Sequence, residues 1–403
     1  MLPDLNSFVE NIPEALSIFV NQIVYEKKSR GERVYTYSLG EAFFDIPQFP
    51  ISDSDMKSGY HYSDSMGLPV LREKIAGMYR RRYGAAADAQ SEIVVSAGSK
   101  PLIFMVLKAC LCEGEEAAYH EPAWLSYPEL IRLAGGKRVA IPYYEEVRQW
   151  ENYLSDKTKV LIVNNPNNPS GKLYTRDEME YLLDLARQKN FFILADEAYS
   201  DFLMAKDRFI SFAELDEEKE HVIVVNSLSK NMGISGWRVG YTISHRDVAA
   251  QLLKLNQHLI TCAATVLQEY MAKHFDQILE ATIPQAQDMA AKRKEVRKIM
   301  DRMGMHVLEG TGTFYFLIDV SAFPGQADDL VFDLLFNHNI AAVPGGAYGE
   351  STKRFIRFGI GTESVEDIER SLFIIKKYLD LKEYDAAGIR MKIEEYIKQR
   401  KGG

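Results

Sequence analysis

The sequence predicts an α/β protein, with a large domain built on a mostly parallel central sheet flanked by helices and a smaller α+β domain. Three observations carry this. From about Ser91 to Ser244 short apolar runs alternate with helical stretches, the pattern of βα units in a parallel sheet. The texture changes in the C-terminal third, where a long helical pattern precedes isolated strands. The length, 403 residues, exceeds what one ordinary core accommodates, so two packed bodies are expected.

Taken in order, the residues before about Asp45 form no βα unit and are assigned to the smaller domain. The clearest strands are residues 92–95 (Glu-Ile-Val-Val), 160–163 (Val-Leu-Ile-Val), 191–195 (Phe-Phe-Ile-Leu-Ala) and 222–225 (Val-Ile-Val-Val). Continuous apolar runs of this length suit strands covered on both faces. Between two of them, Thr175-Arg176-Asp177-Glu178 reads as a capping box that opens a helix with Met179, Leu182, Leu183 and Leu185 on its apolar side. A helical pattern from Gln285 to Met303 leads to strand-like residues 313–318, another helix, and residues 355–360. From Glu383 onward Ile389, Met391, Ile393 and Ile397 recur among charges, which predicts an amphipathic helix covering surface. The expected division is 46–285 for the large domain, and 1–45 with 286–403 for the small one.

Composition narrows the function. The net charge of −9 has both signs mixed along the chain, with no basic stripe for nucleic acid, which favours a small-molecule partner. Cys110, Cys112 and Cys262 are odd in number and lack CxxC spacing, so neither a disulfide framework nor a zinc site is indicated. They read as core thiols in a reducing compartment. No basic-then-apolar leader opens the sequence and no apolar run is long enough for a bilayer, so cytoplasmic residence without membrane attachment is expected.

The unusual polar residues follow the strands directly, at the edge where open α/β sheets bind ligands. After the first strand, Ser96-Ala97-Gly98-Ser99-Lys100-Pro101 precedes an apolar helix. That run is either a phosphate cradle made of glycine backbone and a helix start or an ordinary strand-to-helix turn. After the second, Asn164-Asn165-Pro166-Asn167-Asn168-Pro169-Ser170-Gly171 holds more proline and asparagine than a turn requires, and a rigidly held asparagine can present its amide to a ligand oxygen. After the third, Asp196 is either a buried carboxylate in need of a cation, such as a protonated ring nitrogen, or a helix N-cap. After the fourth, Ser227, Lys230 and Arg238 fall within a dozen residues. Lys230 is a solvated loop lysine or an amine able to lose its proton and attack a carbonyl carbon, and Arg238 can grip a phosphate through paired donors. An amine, a phosphate site, an acid facing a ring nitrogen and an amide donor together describe a site for pyridoxal phosphate.

These runs, with Gly236-Trp237-Arg238-Val239-Gly240, Asp196-Glu197-Ala198-Tyr199 and Phe355-Ile356-Arg357, resemble those of the class I/II aminotransferases among the fold-type I pyridoxal-phosphate enzymes, from about Tyr37 to Asp380. The resemblance implies that Lys230 forms the internal aldimine and shuttles a proton, and that Asp196 pairs with the pyridine nitrogen. It implies that Tyr199 and Asn168 bond the cofactor's phenolic oxygen, that Trp124 stacks on the ring, and that Gly98, Ser99, Lys100, Ser227 and Arg238 hold the phosphate. Tyr62 resembles a tyrosine that reaches a phosphate across a homodimer interface, so the active site would be shared. Arg357 would clamp the substrate α-carboxylate, with Gly40 and Asn168 beside it. Gly40-Glu41-Ala42-Phe43-Phe44-Asp45 departs from the Gly-Glu-Pro-Asp-Phe of many relatives, and Tyr62-Ser63-Asp64-Ser65 lacks their prolines or small residues. Both departures lie where a substrate side chain would be seen.

The activity implied is ping-pong transfer of an amino group from an amino acid to a 2-oxo acid or related carbonyl compound. A C–S β-lyase, or another eliminating enzyme of this fold, would use the same lysine. A cofactor-binding regulator is disfavoured because no DNA-binding domain precedes the large domain. Lys108 is read either as a partner for a side-chain carboxylate or as a helix-surface residue.

Overall fold

The computed structural model describes residues 5–401. Seven strands make the central sheet: β1 Ile93–Ser96, β2 Glu116–His120, β3 Lys137–Ile141, β4 Thr158–Asn164, β5 Phe192–Asp196, β6 Val222–Ser227 and β7 Gly240–Ser244. They lie in the order β1-β7-β6-β5-β4-β2-β3. Only β7 is reversed, antiparallel to both β1 and β6. The carboxyl ends of the other strands therefore share one edge.

The alternation within each strand decides which core a side chain joins. Ile93, Val95, Leu161, Val163, Val222 and Val224 enter one apolar cluster, with residues from the helices Pro69–Tyr83 and Arg176–Lys189. Val94, Val160, Ile162, Ile223 and Val225 enter a second, with the helices Ser99–Cys110, Tyr127–Ala134 and Arg246–Leu259. A side-chain period of two on a sheet covered on both faces produces this sorting. The predicted capping box forms, with Thr175 and Glu178 each satisfying the other's backbone N–H.

Three strands were not expected from the sequence. β3 is an edge strand whose Lys137 and Arg138 are exposed, so its pattern is polar. β2 (Glu-Ala-Ala-Tyr-His) and β7 (Gly-Tyr-Thr-Ile-Ser) lack a β-branched apolar run. The helix predicted from Gln285 in fact spans Thr265–Arg302, 38 residues, and continues through residue 285 with Pro284 inside it. Its first half packs Met271, Phe275 and Ile278 into the first cluster, and its second half packs Ala286, Val296 and Ile299 into a third. One helix serving two cores changes its buried face midway, which hides its continuity in a periodicity count.

The third cluster surrounds an antiparallel sheet of β8 Tyr315–Asp319, β9 Val343–Pro344 and β10 Phe355–Gly359, in the order β9-β10-β8. It also takes in Tyr37 and Ala42 from the N-terminal segment and Tyr199 and Phe202 from beyond β5. Tyr35–Thr36 pairs in parallel with Ile340–Ala341, and the Gly359 N–H donates to the Tyr37 carbonyl at 2.8 Å. The segment leading to Gly40 is thereby fixed beside β10. The N-terminal helix Leu16–Ser29 packs Val20, Ile23 and Val24 against Phe332, Leu335 and Ile389. Ile389 belongs to the C-terminal helix Ala387–Lys401, which Arg390 ties to Asp329 through bonds of 3.0 and 2.8 Å. That helix covers surface as expected, although Met391 points outward.

Candidate active site

Sheet register gathers the four polar clusters. Asn164 and Asp196 are paired residues of β4 and β5, while Ser96 and Ser227 both pair with Gly240 of β7. Above this edge a cavity is lined by Gly40, Ser99, Lys100, Trp124, Asn168, Asp196, Tyr199, Ser227, Lys230, Arg238 and Arg357. Eleven of the thirteen residues predicted for the site thus share one cavity. The other two do not line it: Gly98 lies against Arg238, and Tyr62 is 85% exposed.

Lys230 follows β6 in a single helical turn, Leu228–Asn231. Its side chain keeps some surface open to the cavity, but the amine lies deep in protein and donates to the Gly40 carbonyl. Burial lowers its pKa to about 8; Glu41 opposes the shift, and the like charges of Arg357 and Arg238 add to it. Free amine is therefore accessible near neutral pH. In the protein without cofactor, competitive acetylation read by peptide mass spectrometry should give Lys230 a titration midpoint near 8, with reactivity gained as pH rises through that value and the ammonium gives up its proton. Surface lysines should titrate near about 10.4; a Lys230 midpoint there would remove its special environment.

Asp196 is buried, and no cation lies within ion-pair distance of it among the described residues. Desolvation raises its pKa, while hydrogen bonds from Tyr127 Oη (2.5 Å) and the Ala198 N–H (3.2 Å) counter that rise. A buried carboxylate without a counter-charge calls for one from a ligand. Asn168 is oriented by its N–H bond to Asn164 Oδ1 (2.7 Å), and Asn164 Nδ2 bonds the Asp196 carbonyl (2.9 Å). Asn168 Nδ2 then donates to Tyr199 Oη at 3.3 Å.

At the other end, Gly98 has φ +91°, and a Cβ on it would come within 2.5 Å of Arg238 Nη2. The positive φ favours glycine here, and the missing side chain leaves the guanidinium room beside the start of the helix Ser99–Cys110. Its N–H groups, Lys100, Arg238, Ser227 and Ser229 converge with no carboxylate among the residues lining this end. Lys100 lies 5.0 Å over the Trp124 ring, and burial with Arg238 nearby lowers its pKa. Such a set of donors and positive charge is suited to an anion.

Arg357, on β10, is 4% exposed. Its Nη2 donates to the Ser38 carbonyl (2.6 Å) and Nη1 to Asn168 Oδ1 (3.5 Å), while Nε has no hydrogen-bond partner among the described residues. The guanidinium lies between Tyr315 at 4.6 Å and Tyr348 at 5.1 Å. No carboxylate pairs with this buried cation among the described residues.

Several contributors escaped the sequence reading. Tyr315 Oη lies 3.0 Å from Tyr199 Oη, and Ser38, Ser17 and Asn21 line the cavity, with Ser38 Oγ donating to Asn21 Oδ1 at 2.6 Å. Tyr315 could have been suspected as a polar tip within an apolar strand. The N-terminal residues carry no local signal. Of the two readings of Lys108, the carboxylate partner fails: its amine bonds the Ala134 carbonyl at 3.1 Å, at the end of the helix Tyr127–Ala134 and away from the cavity.

A buried carboxylate lacking a cation, an anion cradle and an enclosed low-pKa lysine fit pyridoxal phosphate, and the fold is that of the fold-type I enzymes that use it. Residues 46–372 match the family model for aminotransferase class I and II. The chain is 32% identical to an aspartate aminotransferase of Thermotoga maritima, over 87% of this chain and 93% of that protein. It is also 32% identical to a (5-formylfuran-3-yl)methyl phosphate transaminase of Methanocaldococcus jannaschii, over 88% and 93%. A solved structure from Methanococcus jannaschii, described as similar in its active site to kynurenine aminotransferases, superposes with a TM-score of 0.83 at 30% identity, covering 94% of this chain and all of that one. The chain belongs to the class I and II aminotransferases. It is a pyridoxal-phosphate-dependent enzyme that moves an amino group from an amino acid to a 2-oxo acid or related carbonyl compound.

Proposed function

We propose that Lys230 anchors the cofactor and carries the proton of the substrate α-carbon, with Asp196 facing the ring nitrogen and Arg357 and Asn168 receiving the α-carboxylate. The observation that carries this reading is the enclosure in one cavity of a lysine with a pKa of about 8, a buried carboxylate and a buried guanidinium, neither of which has an ion-pair partner among the described residues. Bound there, pyridoxal phosphate supplies a carbonyl carbon for amine exchange and an electron-accepting ring. Gly98, Ser99, Lys100, Ser227 and Arg238 would hold its phosphate, and Trp124 would cover one ring face. Tyr199 and Asn168 would hydrogen-bond its phenolic oxygen. Gly40, whose carbonyl accepts from Lys230, keeps the amine aimed into the cavity until a ligand displaces it.

For the assembly we propose a homodimer in which Tyr62 of one copy reaches the phosphate site of the other. Tyr62 is exposed along with Tyr60, Phe43, Ile51 and Met56, an accumulation of exposed large apolar residues between positions 43 and 62 that supports an interaction surface there. For the chain's division we propose 46–285 as the cofactor-binding domain and 1–45 with 286–403 as the smaller one, supported by the packing of Tyr37 and Ala42 among Ala286, Phe316 and Ile356. We further propose cytoplasmic residence, in keeping with three free cysteines, although these are not the core thiols expected: Cys112 is exposed and Cys110 and Cys262 are half-buried.

The test mixes the holoenzyme with a panel of amino acids, aspartate and the aromatic ones first because they appear in relatives' names, and follows the cofactor absorbance. At least one donor should convert the cofactor to its amine form and yield the matching 2-oxo acid. Release of pyruvate and ammonia in place of that conversion would favour β-elimination and sink the transfer reading.

A further inference from the structure

Asp196 is held by a residue that the site's chemistry leaves without a role. Tyr127 opens the helix Tyr127–Ala134, is 1% exposed, and stands behind Asp196, outside the cavity wall. Its hydroxyl lies 2.5 Å from Asp196 Oδ2, while the Ala198 N–H takes Oδ1 at 3.2 Å. Tyr127 is itself placed from two sides: its N–H donates to the Trp124 carbonyl (2.9 Å), and its ring meets the Trp124 ring edge-on at 5.4 Å. Burial raises the pKa of Tyr127 far above the ordinary tyrosine value, so the phenol keeps its proton and is the donor in this pair. A carboxylate bonded at both oxygens is held against rotation, the two bonds oppose the rise in pKa that burial causes, and Asp196 itself lines the cavity.

We infer that Tyr127 is a positioning residue for the cofactor's ring nitrogen: by donating to Asp196 Oδ2 it keeps that carboxylate ionised and aimed at the ring-nitrogen site, without touching cofactor or substrate. The inference rests on the reading that Asp196 faces the ring nitrogen. The bland alternative is that Tyr127 only fills space beneath Trp124. The two differ in one respect: the inferred role requires a nitrogen in the ring, and the packing role does not.

The experiment titrates the protein, stripped of cofactor, with pyridoxal phosphate and with its 1-deaza analogue, which carries C–H in place of the ring nitrogen, and compares wild type, Tyr127→Phe and Asp196→Asn. Phenylalanine retains the ring contact with Trp124 and removes only the hydroxyl. Losing a hydrogen bond to a buried charge should weaken pyridoxal phosphate binding by about tenfold, with binding of the deaza analogue unchanged. An equal loss for both compounds, or none for either, overturns the inference. Should Asp196→Asn discriminate between the compounds while Tyr127→Phe does not, the role of Asp196 stands and that of Tyr127 falls; should neither variant discriminate, both fall.

Discussion

Lys230→Ala should give a folded protein whose amino transfer is slower by about 10⁴-fold, the upper end of what a positioned proton-transfer group contributes. The argument begins with what the lysine costs the fold. Its amine is desolvated, makes one hydrogen bond, to the Gly40 carbonyl, and belongs to no ion pair among the described residues. Truncation therefore breaks no buried charge pair, and the stability change should stay within about 1 kcal/mol. Catalysis loses much more. A group that first takes a proton and then returns it works best when its pKa lies near the working pH, and burial has moved this one to about 8. A 10⁴-fold loss corresponds to about 5 kcal/mol in the barrier, and no other amine in the cavity can replace it. Lys100 is drawn toward Trp124, and Arg238 stays charged at any accessible pH. Single-turnover absorbance and calorimetry on the same sample measure both quantities. A variant that turns over within tenfold of wild type would take the proton-transfer role away from Lys230.

What the sequence disclosed and what it hid follow from how each residue meets its neighbours. β4, β5 and β6 were legible because both faces are buried, so their apolar runs are uninterrupted. β3 was not, because an edge strand with Lys137 and Arg138 exposed resembles a loop. Lys230, Asp196 and Asn168 were legible because each directly follows a readable strand, and the parallel topology carries strand ends to one edge. Tyr315, Ser38 and Asn21 come from segments far apart in the chain, and only tertiary packing brings them to the cavity. Lys108 shows the opposite limit: helical spacing cannot say on which side a long side chain finds its acceptor, and this one found the end of a neighbouring helix. Tyr127 sits three residues beyond Trp124, but its importance depends on a contact across 69 residues of chain with Asp196.

Arg357→Ala should lower kcat/KM for amino acids by about 10²-fold or more, with most of the loss in KM. The guanidinium is buried, its Nε lacks a partner among the described residues, and Ser38 and Asn168 supply only neutral oxygens. A carboxylate entering this place completes an ion pair between fixed donors, and breaking such a pair typically costs about 3–5 kcal/mol. The α-carboxylate keeps its charge throughout amino transfer, so the contact is nearly as strong in the bound substrate as in the transition state. Interactions of that kind act on KM more than on kcat. Arg357→Lys should recover little, because an ammonium has neither the planar fork that meets two oxygens nor the faces that lie against Tyr315 and Tyr348. The control is a primary amine with the same side chain and no carboxylate: wild type and Arg357→Ala should process it at similar, slow rates, since neither has a carboxylate to hold. If the substitution slowed the amine as much as the amino acid, Arg357 would be supporting the site's architecture through Ser38 and Asn168, and the carboxylate contact would have to be sought elsewhere in the cavity.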